Sequence, residues 1–495
     1  MAMQDTTPVR YELVIRNGTV VDGTGAARFA ADVAIAGDTI TAIGNLPQGA
    51  GEVEIDASGC VVAPGFIDAH THDDRALLAD PTSAPKVSQG VTTVVCGNCG
   101  VSVAPLQLDG PPPSPLDLVV DTESCQYPTF AAYLDDLHQS PAALNAACLV
   151  GHTTLRAGVM DALDRPATPA EIDKMRGLLG DALAAGAIGL SSGLFYPPAH
   201  AAPTAEVSAL VQELSPVGGI YTAHIRDESD AVVKALEEAF EIGRGAGVRT
   251  IISHHKCAGR QNFGRTKETL ALIEQARKRQ DIGLDVYPYT AGSSMLGLNP
   301  MTDEAERVIV TWSRAMPHYA GCDLDDVARD LGTSRREAGE RLRPGGGIYF
   351  MMDEEDVRRV LSYPQAMIGS DGLPHDEHPH PRLWGTFTRV LGHYARELGL
   401  FTVEEAVRRM TSLPATRFGL AGRGVVAAGA YADIVVFDPA TVIDRATFDD
   451  PKRPSEGIKA VLVNGRLVWR DGASTGERPG QVLTAREAGS PAGAT

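Results

Sequence analysis

Two histidines in the segment Phe66-Ile-Asp-Ala-His70-Thr-His72 could bind one metal ion. The segment continues an apolar run, VVAPGFIDA, which predicts a β-strand. Residues separated by one position at a strand end point in the same direction, so both imidazoles can reach the same ion. A lone His-x-His pair is weak, because in an arbitrary sequence it is more often structural. It gains weight only if other ligand-type residues meet it in the fold.

Ligand-type residues recur at the ends of four other apolar runs. Cys96 closes VTTVVC, His224 closes GGIYTAH, His254 and His255 close VRTIISHH, and Asp371 closes AMIGSD. Each has a plain alternative, because a buried cysteine is usually packing and an aspartate after a strand often caps a helix. If the runs are parallel strands of one barrel, however, their carboxyl ends meet at one mouth. The recurrence predicts a zinc site, since a thiolate with imidazoles suits zinc and leaves a coordination position for water.

The middle of the 495-residue chain, about 65–414, supplies the elements that would position these residues. Eight apolar β-like runs alternate with helical runs such as 169–186 and 230–247. Runs that are apolar throughout predict strands buried on both faces, as in a parallel sheet covered by helices. Eight of them predict a (β/α)8 TIM barrel. The barrel-like repeat is interrupted at about 290–347, which predicts a long lid insertion after barrel strand 7.

Both ends of the chain predict antiparallel strands. Residues 8–64 and 415–482 alternate apolar and polar residues between Gly, Asn and Asp turn signals. We predict a small β-sandwich domain built from both termini, with two unrelated β-modules as the alternative. The last residues, 483–495, are interpreted as a C-terminal tail.

The composition of the chain argues against some classes of partner and indicates a cellular location. A net charge of −19 argues against nucleic acid and against an anionic membrane surface, which both require clustered Lys and Arg. Seven cysteines are too few for a disulfide scaffold, and no apolar run approaches the roughly 18 residues of a membrane span. The amino-terminal segment also lacks the apolar core of a signal peptide. We therefore expect a cytoplasmic protein with a small-molecule substrate, either a monomer or a homodimer.

Together these motifs resemble the N-acyl-D-amino-acid deacylases (D-aminoacylases) of the amidohydrolase superfamily. The resemblance covers about residues 10–480 and is carried by PGFIDAHTHDD, GVTTVVCGNCG, GLSSGLFYPP, YTAHIRDES, ISHHKCAG, DVYPYTAGSSM, IGSDGLPH and HPRLWGTFTRVLG. The fourth run ends in GLSSGL without a lysine, whereas hydantoinases and dihydroorotases carry there a lysine that is carboxylated to bridge two metals. The resemblance implies that a cysteine after the second strand takes that role, and Cys96 is assigned to it.

The resemblance also implies how the ligands divide. Cys96, His224 and His254 match the ligands of a tightly bound zinc, and a second, weaker position is assigned to His70, His72 and Asp371. The choice of His254 over its neighbour His255 rests on the resemblance alone. Cys99 is interpreted as packing, because no second Cys-x-x-Cys pair accompanies it.

Mechanism and substrate contacts are implied by the same resemblance. Asp371 is expected to take a proton from a zinc-activated water and to pass it to the leaving amine. Lys256, Tyr287 and Arg382 match positions that bind the substrate carboxylate, and Ser293 is expected to add a hydrogen bond. Tyr196 is expected to polarise the scissile carbonyl. The plain alternative for Lys256 and Arg382 is ordinary surface charge.

The segment after the seventh run bears on the substrate side chain. Family members specific for acyl-D-glutamate carry an arginine soon after it, but residues 290–306 contain no Lys or Arg. They contain Met295, Leu296, Leu298 and Met301 instead. We predict hydrolysis of short-chain N-acyl-D-amino acids with neutral or apolar side chains, such as D-Met or D-Leu.

Three other functions stay open on the sequence. A related amidohydrolase could act on acyl-D-Glu or acyl-D-Asp, on D-dipeptides or on cyclic amides. A non-catalytic relative could keep the barrel as a scaffold, although such proteins usually lose metal ligands. The third alternative is a protein with a buried structural zinc, although in such a site four protein ligands occupy all coordination positions.

Overall fold

The structure is a computed structural model that describes residues 10–120, 127–298 and 301–484. Eight parallel strands lie side by side in chain order and form a nearly closed barrel, which confirms the predicted TIM-barrel fold. The first to eighth barrel strands are Phe66–Asp68, Val91–Cys96, Asn145–Gly151, Gly189–Gly193, Ile220–His224, Arg249–Ile252, Ile282–Val286 and Ala366–Ile368.

Alternate residues of each strand face opposite sides of the barrel wall. Val95 and Leu149 pack inside the barrel with Ile67 of the first strand. Cys96 and Cys148 belong to the larger apolar core between the strands and the helices. This two-residue alternation, expected for a strand buried on both faces, decides which side chains can point toward the mouth.

The first and eighth strands meet at a seam. Just beyond the strands, the backbone N–H of Ala69 donates to the carbonyl of Ile368 at 3.2 Å. The N–H of Asp371 donates to the carbonyl of His70 at 2.8 Å. The seam therefore brings the His-x-His segment next to Asp371, although about 300 residues separate them in sequence.

Helices cover the outside of the barrel and begin and end at recognisable signals. The helix Pro169–Ala185 starts with a capping box between Thr168 and Glu171 and ends at Gly186. The α-helices are Ala76–Ala79, Ala84–Val87, Phe130–Gln139, His152–Val159, Pro169–Ala185, Pro197–His200, Thr204–Val211, Val232–Ala246, Thr266–Arg277, Met301–Glu304, Leu324–Asp330, Arg335–Arg341, Glu354–Ser362, Arg382–Arg389, Val403–Met410 and Ser412–Phe418. Short 3-10 helices are Leu116–Leu118, Gln212–Val217, Arg260–Asn262 and Pro317–Tyr319, and Val390–Glu397 is a π-helix. None of the helices in the described ranges is long and apolar enough to cross a membrane.

A small subdomain is inserted between the seventh and eighth barrel strands. Its antiparallel sheet consists of Ala291–Met295, Gly345–Phe350 and Arg307–Ser313, in that spatial order. Its core includes Leu296 and Val308 and extends to Tyr287 at the barrel mouth. The insertion predicted after the seventh strand is therefore present, and it lies against the mouth. Its movement as a lid stays a prediction.

Strands from both chain ends form one nine-stranded sheet, which confirms the predicted β domain built from both termini. The strand Val61–Pro64 pairs antiparallel with Ile434–Phe437 and so joins the two halves. The strands are Tyr11–Val20, Phe29–Ala36, Thr39–Gly44, Gly51–Asp56, Val61–Pro64, Ile434–Phe437, Ile458–Val463, Arg466–Arg470 and Ala473–Ser474. The domain limits 8–64, 65–414 and 415–482 stay predictions, and residues 485–495 of the predicted tail lie outside the described residues.

Candidate active site

Four buried donor side chains converge at the barrel mouth. The donor atoms of His70, Cys99, His254 and Asp371 all lie within 4.8 Å of one another. The Cys99 sulfur is 3.2 Å from His70 Nε2 and 3.3 Å from His254 Nε2. Asp371 Oδ1 is 3.5 Å from His70 Nε2. Thiolate, imidazole and carboxylate donors arranged around one point are a donor set that fits zinc.

Two further histidines border this cluster. His72 Nε2 lies 3.2 Å from Asp371 Oδ1, and His224 Nδ1 lies 3.1 Å from His254 Nε2. Five of the six predicted donor side chains therefore meet at the mouth. His255 points elsewhere, since its Nε2 lies 2.8 Å from the hydroxyl of Thr269.

The assignment of Cys96 is wrong. Its sulfur lies 3.4 Å from the sulfur of Cys148, in the apolar core outside the barrel wall. Cys96 and Cys148 are register partners on neighbouring strands, and both point toward the helices. The cysteine that faces the mouth is Cys99, three residues further on, for which the sequence predicted a packing role.

The turn Gly97-Asn98-Cys99-Gly100 carries the signal that could have located this cysteine. A Cβ atom at Gly97 would lie 2.2 Å from the carbonyl oxygen of Leu149, so only glycine fits there. Gly100 also packs closely on the backbone of Gly193. Two glycines at such contacts let the chain turn back over the mouth after the strand has ended, and Cys99 lies between them.

Three residues of the cluster have a left-handed backbone. The φ angles are +54° for Cys99, +34° for His254 and +50° for Asp371. Seven non-glycine residues of the described chain have positive φ, so nearly half of them lie in this one cluster. Such conformations are uncommon for residues with a Cβ atom and concentrate at functional sites.

Electrostatics distinguish the two cysteines. Contact with the Cys148 thiol, together with burial, raises the pKa of Cys96 well above its usual value. Burial also opposes ionisation of Cys99, but the surrounding His70, His254 and His224 hold the pKa of its thiol well below the usual value. Cys99 is therefore the cysteine with thiolate character, the form that ligates a metal.

Two carboxylates that no sequence motif had indicated contact the histidines on the side away from the cluster. Asp285 Oδ1 lies 3.3 Å from His70 Nδ1, and Glu228 Oε1 lies 3.0 Å from His254 Nδ1. A carboxylate on one ring nitrogen leaves the lone pair of the other nitrogen free for a metal. Glu228 comes four residues after His224 in TAHIRDE, but that spacing alone did not distinguish it from a solvated acidic residue.

A cavity of about 560 Å³ opens directly beside the cluster. Four residues predicted to contact substrate line it: Tyr196, Lys256, Tyr287 and Ser293. The Lys256 ammonium lies 2.6 Å from Glu228 Oε1, so it is paired and is not a free surface charge.

Arg382, the remaining residue predicted to contact substrate, does not line this cavity but contacts Tyr287 and Asp371, which do. It is 1% exposed, and its guanidinium is 4.6 Å from the centre of the Tyr287 ring. One of its terminal nitrogens is 2.9 Å from Asp371 Oδ2. Burial opposes ionisation of Asp371, but Arg382 and His254 hold the pKa of this carboxyl well below its usual range.

The apolar wall of the cavity differs in part from the predicted set. Leu298 and Met301 line it, together with Met351 and Met352 at the end of the insertion. Met295 and Leu296 do not line it; they are 3% and 0% exposed and pack in apolar clusters. The segment composition was informative, but it could not show which residues face the cavity.

Comparison with known proteins agrees with this arrangement. A family model described as the amidohydrolase family matches residues 53–469. D-aminoacylase of Alcaligenes xylosoxydans xylosoxydans is 55% identical over 98% of this chain and 99% of its own length. A solved D-aminoacylase structure, determined to study the role of its binuclear metal centre, has a TM-score of 0.94 and 53% identity, covering 96% of this chain and all of that one. An N-acyl-D-glutamate deacylase of Bordetella bronchiseptica, complexed with zinc and a phosphonate that mimics the tetrahedral intermediate, has a TM-score of 0.93 and 46% identity over the same shares. The chain therefore belongs to the N-acyl-D-amino-acid deacylase (D-aminoacylase) family of amidohydrolases.

Proposed function

We propose that this protein hydrolyses N-acyl-D-amino acids at a zinc centre, releasing the free D-amino acid and a carboxylate. The observation that carries the proposal is the convergence of buried donor side chains beside a cavity with a cationic corner. The preference for D-amino acids is proposed from family membership alone, because no contact in the site distinguishes D from L substrates. The proposal also includes a cytoplasmic location, the absence of a nucleic-acid or membrane partner, and a monomeric or homodimeric protein.

Six residues are proposed as ligands, in two groups. Cys99, His224 and His254 would hold one zinc tightly, and His70, His72 and Asp371 would contribute to a second, weaker position. In the related D-aminoacylase, the study of the binuclear centre found one-metal activation and second-metal attenuation. This supports one working metal in the present protein. When bound, zinc lowers the pKa of a coordinated water from about 15.7 to about 7 and polarises the amide carbonyl.

Asp371 is proposed as the proton carrier. Arg382 holds its carboxylate ionised, and an ionised carboxylate can accept a proton from water. The same group can then donate that proton to the departing nitrogen, which must be protonated before the amine leaves. Tyr196, whose ring centre lies 5.0 Å from that of His224, is proposed to polarise the scissile carbonyl.

The cationic corner is proposed to bind the substrate carboxylate. Lys256, Tyr287 and Ser293 offer donors from the cavity wall, and Arg382 adds positive charge next to Tyr287. The bound carboxylate would share Lys256 with Glu228, which holds the ammonium 2.6 Å away. A charge-assisted contact of this kind favours acyl-amino acids with a free carboxylate over cyclic amides.

The substrate side chain is proposed to be neutral or apolar. Leu298, Met301, Met351 and Met352 form the wall, and burial of an aliphatic side chain against them is favourable by roughly 1.5–3 kcal/mol. The relatives include an N-acyl-D-glutamate deacylase at 46% identity, so overall similarity alone does not choose the side chain.

A panel of N-acetyl-D- and N-acetyl-L-amino acids, assayed with and without added zinc, tests the proposal. We expect zinc-dependent release of D-Met and D-Leu with the highest kcat/KM. An enzyme that acts best on acyl-D-glutamate would contradict the side-chain assignment. A folded protein that binds no zinc and releases no amino acid would favour a scaffold.

A further inference from the structure

A buried lysine that the proposed chemistry does not use lies behind the barrel seam. Lys86, in the short helix Ala84–Val87, is 2% exposed. Its ammonium donates to Asp68 Oδ2 at 2.8 Å and to Ser370 Oγ at 2.7 Å, and it lies 3.3 Å from Asp73 Oδ2. A charge buried this deeply is unfavourable unless it is paired and hydrogen-bonded, so the arrangement needs a reason.

The carboxylate of Asp68, which pairs with Lys86, is hydrogen-bonded to the backbone on both sides of the seam. Asp68 Oδ1 accepts a hydrogen bond from the backbone N–H of Ser370 at 2.7 Å and from that of His70 at 3.3 Å. Ser370 Oγ, which receives the lysine, also accepts from the N–H of Gly372 at 3.2 Å. The backbone is therefore held immediately before and immediately after Asp371.

Asp371 is the residue that needs such support. Its φ of +50° is a conformation that an aspartate leaves readily unless its surroundings fix it. In this conformation its two carboxylate oxygens point to His72 and to Arg382. Relaxation to an ordinary φ would turn the carboxylate away from both.

We infer that Lys86 is a positioning residue: through Asp68 and Ser370 it fixes the backbone of Asp371 and His70 across the seam, so that both side chains face the same point. The inference rests on the proposed role of Asp371 as proton carrier. Lys86 touches neither the substrate cavity nor a donor atom of the metal cluster, and its effect is transmitted through the backbone.

A second buried ion pair provides a matched control. Arg423 and Asp433 have side chains 2% and 4% exposed, close to the values of Lys86 and Asp68. Asp433 Oδ2 accepts a hydrogen bond at 3.2 Å from Asn145 Nδ2, at the amino end of the third barrel strand and thus opposite the mouth. Loss of this pair should destabilise the fold without displacing Asp371.

The first experiment compares K86M with R423M. We expect K86M to lower kcat roughly 10- to 100-fold, because a displacement of about 1 Å of a reacting group costs about 10²-fold. KM should stay within about twofold and the tightly bound zinc should remain, since Cys99, His224 and His254 are untouched. R423M should lower the thermal midpoint and leave kcat unchanged. A K86M protein that loses stability but keeps the wild-type kcat overturns the inference.

Two further variants decide the matter if K86M fails to fold. S370A keeps the ion pair but removes the hydroxyl that links Lys86 to Gly372. D68N/K86M makes both members of the Lys86–Asp68 pair uncharged and leaves Asp73 in place. Hydrogen exchange of the zinc-free proteins should show faster exchange of the peptide 369–372 in both variants, and not in R423M. Wild-type exchange and kcat in both variants would overturn the inference. D371N separates it from the proposed function, because an active D371N contradicts the role of Asp371 itself.

Discussion

Cys96 and Cys99 lie three residues apart in sequence and on opposite sides of the barrel wall. Cys96 is the last residue of the second strand and packs on Cys148 under the helix layer. Cys99 lies in the turn after this strand and faces the histidines at the mouth. Both are almost completely buried, so burial does not distinguish them. The two cysteines differ instead in the direction in which the backbone points the side chain.

The two faces of the wall differ in the neighbours they offer. Outside the wall, Cys96 meets another thiol and apolar side chains, which favour the neutral thiol. At the mouth, Cys99 meets three imidazoles that favour the thiolate. A cysteine therefore becomes a candidate ligand through the charges its position brings near it.

The largest effect is expected from Asp371→Asn at the mouth. Loss of the proton carrier should lower kcat by about 10²- to 10⁴-fold, while zinc stays bound through Cys99, His224 and His254. Steady-state kinetics with elemental analysis checks this. Asp356→Asn is the control, because Asp356 is equally buried but pairs with Arg359 in the outer helix layer. Retention of full activity by Asp371→Asn would contradict the mechanism.

The next effect sharpens the comparison of the cysteines directly. Cys99→Ala should weaken zinc binding by at least about 100-fold, since loss of a partner behind a ligand already costs about 10- to 100-fold. Activity should fall with the zinc content. Cys148→Ala, on the outer side, should bind zinc normally. Zinc titration against a competing chelator measures both, and equal affinities would remove the distinction between the two faces.

The regular elements of the fold could be predicted from the sequence, and the irregular ones could not. The barrel and four donor side chains that meet at its mouth, His70, His72, His224 and Asp371, came from strand periodicity, because parallel strands must end at one face. The choice of His254 over His255 came from the family resemblance. Cys99 was missed because period-two alternation stops at the strand end and does not determine the course of a turn. Glu228 and Lys86 were missed because their partners are set by tertiary contacts. Met295 and Leu296 were misplaced because segment composition does not tell which side of an inserted sheet faces a cavity.

A smaller effect is expected from Glu228→Gln, behind His254. The neutral amide no longer balances Lys256 or strengthens the donor nitrogen of His254, so zinc affinity should fall roughly 10- to 100-fold. Glu405→Gln is the control, because Glu405 pairs with Arg408 and Arg409 away from the mouth. An unchanged zinc affinity in Glu228→Gln would show that the contact with His254 is incidental.

The cavity wall should respond to an added charge. Leu298→Arg places a guanidinium among apolar residues and should raise the ratio of kcat/KM for acyl-D-glutamate over acyl-D-methionine roughly tenfold, the value of one charge-assisted hydrogen bond. Leu298→Gln controls for lost apolar surface. If both variants change the ratio equally, the side chain of the substrate does not bind at this wall.

The smallest effect is expected from Cys96→Ala, on the outer face. Removal of one buried sulfur leaves a small cavity in the core and should lower the free energy of unfolding by about 1 kcal/mol. Zinc content and kcat should equal those of the wild type, because the Cys96 side chain points away from the mouth. Denaturant unfolding of Cys96→Ala, Cys148→Ala and the double variant measures the effect. The double variant should lose less than the sum of the two single losses, because the two sulfurs contact each other. A Cys96→Ala protein without zinc would instead place this residue among the ligands and reverse the assignment of the two cysteines.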